Sequence, residues 1–229
     1  MVCVVDFITL KTRMSSVEPA NMKSIASIYE VAGRSVFLIH ETIRNSTKSL
    51  IKNIEKYGNS DEGLLQYAQF WYNHLHSHHS HEDKLVFPLM ERYNNDCANF
   101  KHDHTVLNEL LVKIQASISK KNLDKNDIVK VDQLLQPHLQ LEEEQWGHLD
   151  GNVPETELKN MLKLIQEESQ KESPPQEGLM FILYHLDAEE KDEFIYNEAG
   201  VFLKYVLVPW VFDRRHGATF KKYATYDSY

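Results

Sequence analysis

Apolar residues recur along most of the chain at spacings of three and four positions. This is the period of an α-helix with one buried face, whereas the strict alternation of a half-buried strand is hard to find over a strand's length. Few residues interrupt the pattern, because the 229 residues include only 8 Gly and 7 Pro. The pattern therefore predicts an all-α protein built from long amphipathic helices.

Four of these helices are predicted before Gly151. Gly58 suits a helix end, and Ser60 with Asp61 suits a helix start. Pro137 lies inside the fourth helix and should kink it. Four amphipathic helices with short links are what an antiparallel up-down-up-down four-helix bundle requires. The predicted helices run from about Asn21 to Tyr57, from Ser60 and Asp61 to Pro88 and the polar run 93–96, from Cys97 to Lys120, and from 124–127 to 147–151.

The pattern changes after Gly151. A fifth helix is predicted over Pro154 to Lys171, a linker over Glu172 to Gly178, and short helical pieces from Leu179 to an aromatic tail. The aromatic residues of the tail are expected to pack rather than to bind a ligand. We therefore divide the chain into an N-terminal extension (1–21), a four-helix bundle (22–150) and a C-terminal helical extension packed on the bundle (151–229).

Charge and composition narrow the function classes. The 34 acidic residues outnumber the 25 basic ones, and the net charge is −9. This balance excludes a nucleic-acid partner, which needs clustered Lys and Arg. No apolar stretch reaches the roughly 20 residues of a membrane helix, so no membrane partner is predicted. The two cysteines, Cys3 and Cys97, are expected to be unpaired thiols in a reducing compartment, which favours the cytoplasm.

Each of the four predicted helices carries a potential metal ligand within its apolar stripe. A single histidine in such a place is usually a hydrogen-bonded core residue. Burying several such groups together without compensation costs several kcal/mol each, and a divalent ion among them removes that cost. The residues are His40 on the first helix, His78 and Glu82 on the second, His104 on the third, and His138 and Glu142 on the fourth.

The spacing of these residues supports a metal site. Residues at i and i+4 stand one helical turn apart, so His78 with Glu82 and His138 with Glu142 can reach one ion or two adjacent ions. Four imidazoles and two carboxylates exceed the needs of one tetrahedral zinc. We predict two metal ions, with the histidines as terminal ligands and the two glutamates as bridges. Mixed imidazole and carboxylate ligands favour iron, with manganese and zinc as the alternatives.

Other histidines compete for a place in this site. His79 with Asp83 repeats the i+4 spacing on a neighbouring face and is the main rival pair. His74 lies one turn before His78 and is expected to be an outer hydrogen-bond donor or an extra ligand. Ordinary surface or structural positions are predicted for the remaining histidines and for the acidic residues that follow Glu142: His76 and His81 in solvent, His102, His148, His185 and His216 without a metal role, and Glu143 and Glu144 on a solvated face.

Four segments together resemble the hemerythrin-like proteins, also called HHE cation-binding domains. They are FLIHETIR at His40, HSHHSHEDKLVFPLM at His78 and Glu82, KHDHTVLNELL at His104, and PHLQLEEEQ at His138 and Glu142. The resemblance covers roughly residues 22–150. It implies an up-down-up-down bundle with a non-haem di-iron centre that binds oxygen, nitric oxide or peroxide, or that senses iron.

One position departs from the oxygen-carrying members of that family. Those proteins have two histidines one turn apart on the third helix, and here Asn108 occupies the second place. Either one iron lacks a ligand, or Glu109, His79 or His74 substitutes. This departure argues against reversible oxygen carriage.

Three functions remain open at this level. The first is a di-iron protein that binds, stores or senses a small ligand such as O2, NO or H2O2. The second is an enzyme that removes peroxide or nitric oxide at the same centre. The third is an iron-responsive interaction protein, in which residues 151–229 meet a protein partner or a second copy of the chain.

Overall fold

The computed structural model describes residues 27–172, 175–198 and 213–224, and every regular element in these ranges is helical. The predicted all-α class is therefore confirmed for this part of the chain. One π-helical turn, Glu82–Val86, joins α2 to α3 without a break. The α-helices are α1 (Ile28–Tyr57), α2 (Glu62–His81), α3 (Phe87–Arg92), α4 (Ala98–Ser119), α5 (Lys125–Gly147), α6 (Glu155–Glu172), α7 (Pro175–His185), α8 (Ala188–Glu198) and α9 (Asp213–Tyr223).

The first helix starts later than its apolar pattern predicts. Ser27 is extended and its hydroxyl accepts a hydrogen bond from the backbone of Glu30, whose carboxylate accepts one from the Ser27 amide. This reciprocal pair stabilises a helix start, so α1 begins at Ile28 and not near Asn21. Residues 21–26 lie outside the described residues. At its other end α1 stops at Gly58 as predicted, where φ is 85°.

The second predicted helix is interrupted by a change of helix type rather than by Pro88. The amide of Phe87 bonds to the carbonyl of Glu82, which widens the helix for one turn. Pro88 then lies in the first turn of α3 and does not end the helical path. The helical path continues to Arg92, and Asn94 with φ 62° turns the chain.

Four helices surround the main core. α1 contacts α2 and α5, and α4 also contacts α2 and α5, so the contacts close a ring. The apolar stripes of these helices face inward: Leu50, Leu64, Trp71, Ile114 and Val131 are each at most 1 % exposed. Pro137 lies inside α5, which runs unbroken to Gly147.

The C-terminal helices pack mainly on α1 and α2. α6, α7 and α9 contact both of them, and α8 contacts α1. The predicted linker over Glu172 to Gly178 is wrong in extent, because α7 already begins at Pro175. Of the aromatic tail, Phe220 and Tyr223 are buried in the main core, as the packing prediction requires. Trp210, Phe212, Tyr226 and Tyr229 lie outside the described residues.

Of the two cysteines, Cys97 lies in the part of the chain that the structure describes. Cys97 is a free, buried thiol, and burial raises its pKa to about 11, while Cys3 is outside the described part. None of the helices in the described ranges combines the length and the apolar character that a membrane crossing needs.

Candidate metal centre

The six predicted ligands come together in the interior, in two groups that share Glu82. In what we call the three-histidine group, ligand atoms of His79, Glu82, His104 and His138 all lie within 4.8 Å of one another. In the two-histidine group the same holds for ligand atoms of His40, His78, Glu82 and Glu142. All four helices of the ring contribute. Each group has the composition of a cation site with nitrogen and oxygen ligands.

Glu82 faces both groups at once. Its Oε1 lies 3.2 Å from Nε2 of His78, in the two-histidine group. Its Oε2 lies 3.7 Å from Nε2 of His104, in the three-histidine group. A carboxylate with one oxygen towards each group is placed to bridge two ions.

Glu142 has the same double orientation from the opposite helix. Its Oε1 is 3.3 Å from Nε2 of His138 and 4.0 Å from Nε2 of His104. Its Oε2 is 3.7 Å from Nε2 of His40. The two carboxylates thus lie between the two sets of imidazoles.

The inner atoms of this site lack hydrogen-bond partners. All the side chains are buried except His78, which is 13 % exposed. A buried polar atom left unpaired costs about 1–3 kcal/mol, so the arrangement is unfavourable without a cation and fits one well. Within the two groups the unpartnered atoms are Nε2 of His40, His78 and His79, Oε2 of Glu82, and both carboxylate oxygens of Glu142.

Hydrogen bonds to the outer nitrogens orient the imidazoles. Nδ1 of His40 donates to Glu143 at 2.9 Å, and Nδ1 of His79 donates to the carbonyl of Leu75 at 2.8 Å. With the proton on Nδ1, Nε2 presents its lone pair to the interior. Such outer partners fix the tautomer and raise the basicity of a metal-binding histidine.

The other two imidazoles of the three-histidine group have carboxylate partners. Nδ1 of His104 lies 2.9 Å from Asp83, and Nδ1 of His138 lies 3.2 Å from Asp103. The Nε2 atoms of His104 and His138 face each other at 3.2 Å. Two nitrogen lone pairs pointed at each other repel, and a cation between them would remove that repulsion.

The protonation preferences follow from burial and crowding. Burial, then the charges of Glu142 and Asp83, raises the pKa of Glu82 well above its ordinary value. Burial and the neighbouring histidines lower the pKa of His78 and of His79 well below the usual histidine range. These imidazoles are therefore neutral at pH 7, which is the form that binds metals.

His104 and His138 respond differently to their surroundings. Burial and the neighbouring His138 lower the pKa of His104, against the opposing effect of Asp83. Burial also acts to lower the pKa of His138, but its interactions with the nearby carboxylates of Glu142 and Asp103 outweigh this and raise the pKa.

His78 and His79 were predicted as alternatives for one place in the site, but the structure brings both of them into it. The ring of His78 packs against His40 at 5.1 Å, and the ring of His79 packs against His104 at 4.6 Å. Asp83 is not a partner of His79; it approaches His104 from the outside. His79, one of the substitutes considered for Asn108, thus lies in the three-histidine group.

The other predicted substitutes lie away from the two groups. Asn108 and Glu109 are exposed on α4. His74 belongs to neither group, and its ring packs 4.9 Å from that of Phe181 on α7. Its Nε2 is buried without a partner, and burial lowers its pKa to about 4.

Two predicted solvent-facing residues have other positions in the structure. His81 is only 6 % exposed, and its Nε2 lies 3.3 Å from Glu172 at the end of α6. Glu143 is partly buried between His40 and Arg44. Helix α6 covers His81, and the orientation of the His40 ring brings Glu143 inward. His76, His102 and His148 are exposed, as predicted. His185 has a structural role, which also agrees with the prediction. The side chain of His216 lies outside the described part.

Sequence reasoning did not assign a role beside the imidazoles to the three outer carboxylates: Asp83 was named only as a partner of His79, Glu143 was placed on a solvated face, and Asp103 was not named. Each is adjacent in the chain to a predicted ligand. Adjacent helical residues point about 100° apart, so an apolar stripe does not indicate which neighbour bends back towards an imidazole. The adjacency is the only signal that could have suggested them.

Comparison with known proteins agrees with this geometry. The family model described as Hemerythrin HHE cation binding domain matches residues 37–148. No curated protein and no solved structure matches the chain. The matched range contains every residue of the two groups. The resemblance predicted from the sequence is therefore confirmed as a match of residues 37–148 to the hemerythrin HHE cation-binding domain.

Proposed function

We propose that the protein is a hemerythrin-like non-haem di-iron protein that takes up a small ligand such as O2, NO or H2O2 for binding, storage or sensing. The observation that carries this proposal is the placement of Glu82 and Glu142, each with one oxygen towards each histidine group. Two bridging carboxylates between two sets of imidazoles suit a pair of adjacent ions better than a single ion.

The proposed ligands follow from the groups. His40 and His78 hold one ion, and His79, His104 and His138 hold the other, while Glu82 and Glu142 bridge them. The two-histidine group offers two imidazoles and two carboxylates, which leaves room around a six-coordinate ion for a small external ligand. Iron supplies reversible one-electron chemistry, which zinc lacks. Manganese and zinc remain the alternative metals.

The proposed architecture is an antiparallel up-down-up-down four-helix bundle with additional C-terminal helices. Its support is the ring of contacts among α1, α2, α4 and α5, together with the short connections 58–61, 93–97 and 120–124, which favour antiparallel neighbours. The division into residues 1–21, 22–150 and 151–229 belongs to the same proposal.

Metal analysis of purified protein tests the function. Protein expressed in iron-rich medium is expected to carry about two iron ions per chain and to absorb in the near ultraviolet and visible range after exposure to air. Glu142→Ala should lose most of this iron, because no other carboxylate spans the two groups from α5. Wild-type protein without any transition metal would contradict the proposal.

A second candidate is an iron-responsive interaction protein. Its specific support is that α6, α7 and α9 pack on α1 and α2, the helices that carry His40, His78, His79 and Glu82. Chelation of iron should then loosen the C-terminal helices and change binding to a protein partner or a second copy. Turnover of peroxide or nitric oxide by the iron-loaded protein would instead indicate an enzyme. The low cysteine content supports a reducing location such as the cytoplasm.

A further inference from the structure

The two histidine groups differ in the charge that surrounds their outer nitrogens. In the two-histidine group, Glu143 accepts from Nδ1 of His40 at 2.9 Å, and the same Oε1 lies 2.8 Å from Nη1 of Arg44. Arg44 also pairs with Glu41 at 2.8 Å. Only 12 % of the Arg44 side chain and 21 % of the Glu143 side chain are exposed, so solvent screens this pair only in part.

The three-histidine group has two outer carboxylates, Asp83 and Asp103, whose side chains are 39 % and 31 % exposed. Asp83 and Asp103 accept from His104 and His138. Neither aspartate forms an ion pair with a lysine or arginine in the part of the chain that the structure describes. Anionic acceptors make an imidazole a stronger donor to a metal. Here two such acceptors act without an ion pair, and the charge of Lys101 reaches Asp83 only from a distance.

The number of protein ligands adds to this difference. The three-histidine group has three imidazoles together with an oxygen of Glu82, and Oε1 of Glu142 lies close to two of them. The two-histidine group has one imidazole fewer. More donors and more surrounding negative charge both favour a divalent ion at the three-histidine group.

We propose that Glu143 and Arg44 are positioning residues that set the two-histidine group apart as the weaker and exchangeable metal position. Glu143 holds His40 with Nε2 turned inward, and Arg44 partly neutralises Glu143 and so limits the affinity. The first ion occupies the three-histidine group, and the second binds and leaves at the two-histidine group. This inference rests on the proposed two-metal function.

Titration of the metal-free full-length protein with Co²⁺ under argon tests the proposal. Calorimetry and the visible absorption of bound Co²⁺ should resolve two steps. Glu143→Gln keeps the size of the side chain but removes its charge, and should raise the Kd of the second step by about 10-fold or more. The first step should change by less than about 3-fold. Asp103→Asn should give the reverse pattern, with the larger effect on the first step.

Arg44→Met supplies a change of opposite sign. Removing the positive charge leaves Glu143 uncompensated, so the Kd of the second step should fall by about 3-fold or more. A residue that merely maintains the fold would not tighten binding when it is removed. The matched control is Glu144→Gln, which removes the same charge from the next residue, an exposed carboxylate that accepts from Gln140. Its two steps should match those of the wild type.

The outcomes separate the inference from the function on which it rests. Failure of the wild type to bind two Co²⁺ ions would overturn the proposed two-metal function and the inference with it. Two ions bound in the wild type with equal affinity would overturn only the inference, as would equal effects of Glu143→Gln on both steps or weaker binding in Arg44→Met. Unfolding curves of the metal-free variants, if they match the wild type, exclude a general loss of structure as the cause of any change.

Discussion

At the scale of single residues, the site combines imidazoles, of which burial keeps His78 and His79 neutral, with two carboxylates that are kept close together. The six ligands predicted from the sequence meet because the helical period places them on inward-facing stripes. The sequence identified His79 only as an alternative to His78. A single apolar stripe indicates one inward face, whereas α2 has partner helices on two sides. His78 faces His40 on α1, and His79 faces His104 and His138 on α4 and α5.

The carboxylate of Glu82 should make the metal-free protein less stable. Its raised pKa means that the unfolded state releases the proton from about pH 4.5 upwards while the folded state retains it. Stability is therefore lost as the pH rises from that value through the folded pKa. At pH 7 in EDTA, Glu82→Gln should be more resistant to unfolding by about 1–3 kcal/mol, as measured by urea denaturation.

The same variant should bind metal less tightly, since the amide cannot replace a bridging carboxylate. Glu109→Gln, at an exposed carboxylate of α4, serves as the control and should change neither quantity. A metal-free Glu82→Gln protein less stable than the wild type would show that Glu82 is not under electrostatic strain.

At the scale of helices, most of the ring was predictable and its details were not. The starts of α2 and α5 follow from the capping residues Asp61 and Asp124, and the end of α1 follows from Gly58. The start of α1 was not predicted, although Ser27 caps it. The π turn at Glu82–Val86 was not predicted, because it depends on how α2 and α3 pack rather than on local residue preference. Such turns are frequent at functional sites, and this one begins at a proposed bridging ligand.

Helix α7 is held to α2 by a buried histidine, which predicts a pH dependence. The hydroxyl of Tyr67 donates to Nε2 of His185 at 2.5 Å, and Nδ1 of His185 donates to the carbonyl of Phe181 at 2.6 Å. Burial lowers the pKa of His185 to about 3. Its contribution to stability is complete above its unfolded pKa of about 6.5 and is lost as the pH falls towards 3.

Comparison of variants isolates this contribution. Between those pKa values the unfolded state binds one more proton at this position, so stability falls by about 1.4 kcal/mol per pH unit. In urea denaturation between pH 6 and pH 4.5, the free energy of unfolding of His185→Gln should depend on pH less steeply than that of the wild type. The difference in slope should be about 1.4 kcal/mol per pH unit. His76→Gln, at an exposed histidine, should keep the wild-type slope. An unchanged slope in His185→Gln would contradict the assigned protonation.

At the scale of the whole molecule, the C-terminal helices cover the side of the ring formed by α1 and α2. The sequence indicated that they are helical and that Phe220 and Tyr223 pack. It did not indicate where, because contacts between distant segments leave no periodic signal. The structure places the carbonyl of Tyr223 2.6 Å from Nδ2 of Asn53, and its hydroxyl donates to Asp61, the residue that caps α2.

Gly63 permits this contact between α9 and α2. A Cβ added at Gly63 would lie 2.6 Å from the hydroxyl oxygen of Tyr223 and 2.9 Å from its ring. Gly63→Ala should therefore destabilise the protein by about 1–3 kcal/mol, although alanine is otherwise the better helix residue. In a Tyr223→Ala background, where the clash is absent, the same change should be neutral or stabilising. A double-mutant cycle measured by thermal unfolding checks the sign, and an equal loss in both backgrounds would refute the contact.

The helical segment formed by α2 and the π turn that follows it carries His78 to one group, His79 to the other and Glu82 to both. This one segment therefore lines both metal positions. Any rotation or slide of this segment moves all three side chains together. An ion bound at the first position therefore restricts the movement of this segment at the second position. Part of the conformational entropy that the second site must lose is then already lost. Binding of the first ion should then favour binding of the second.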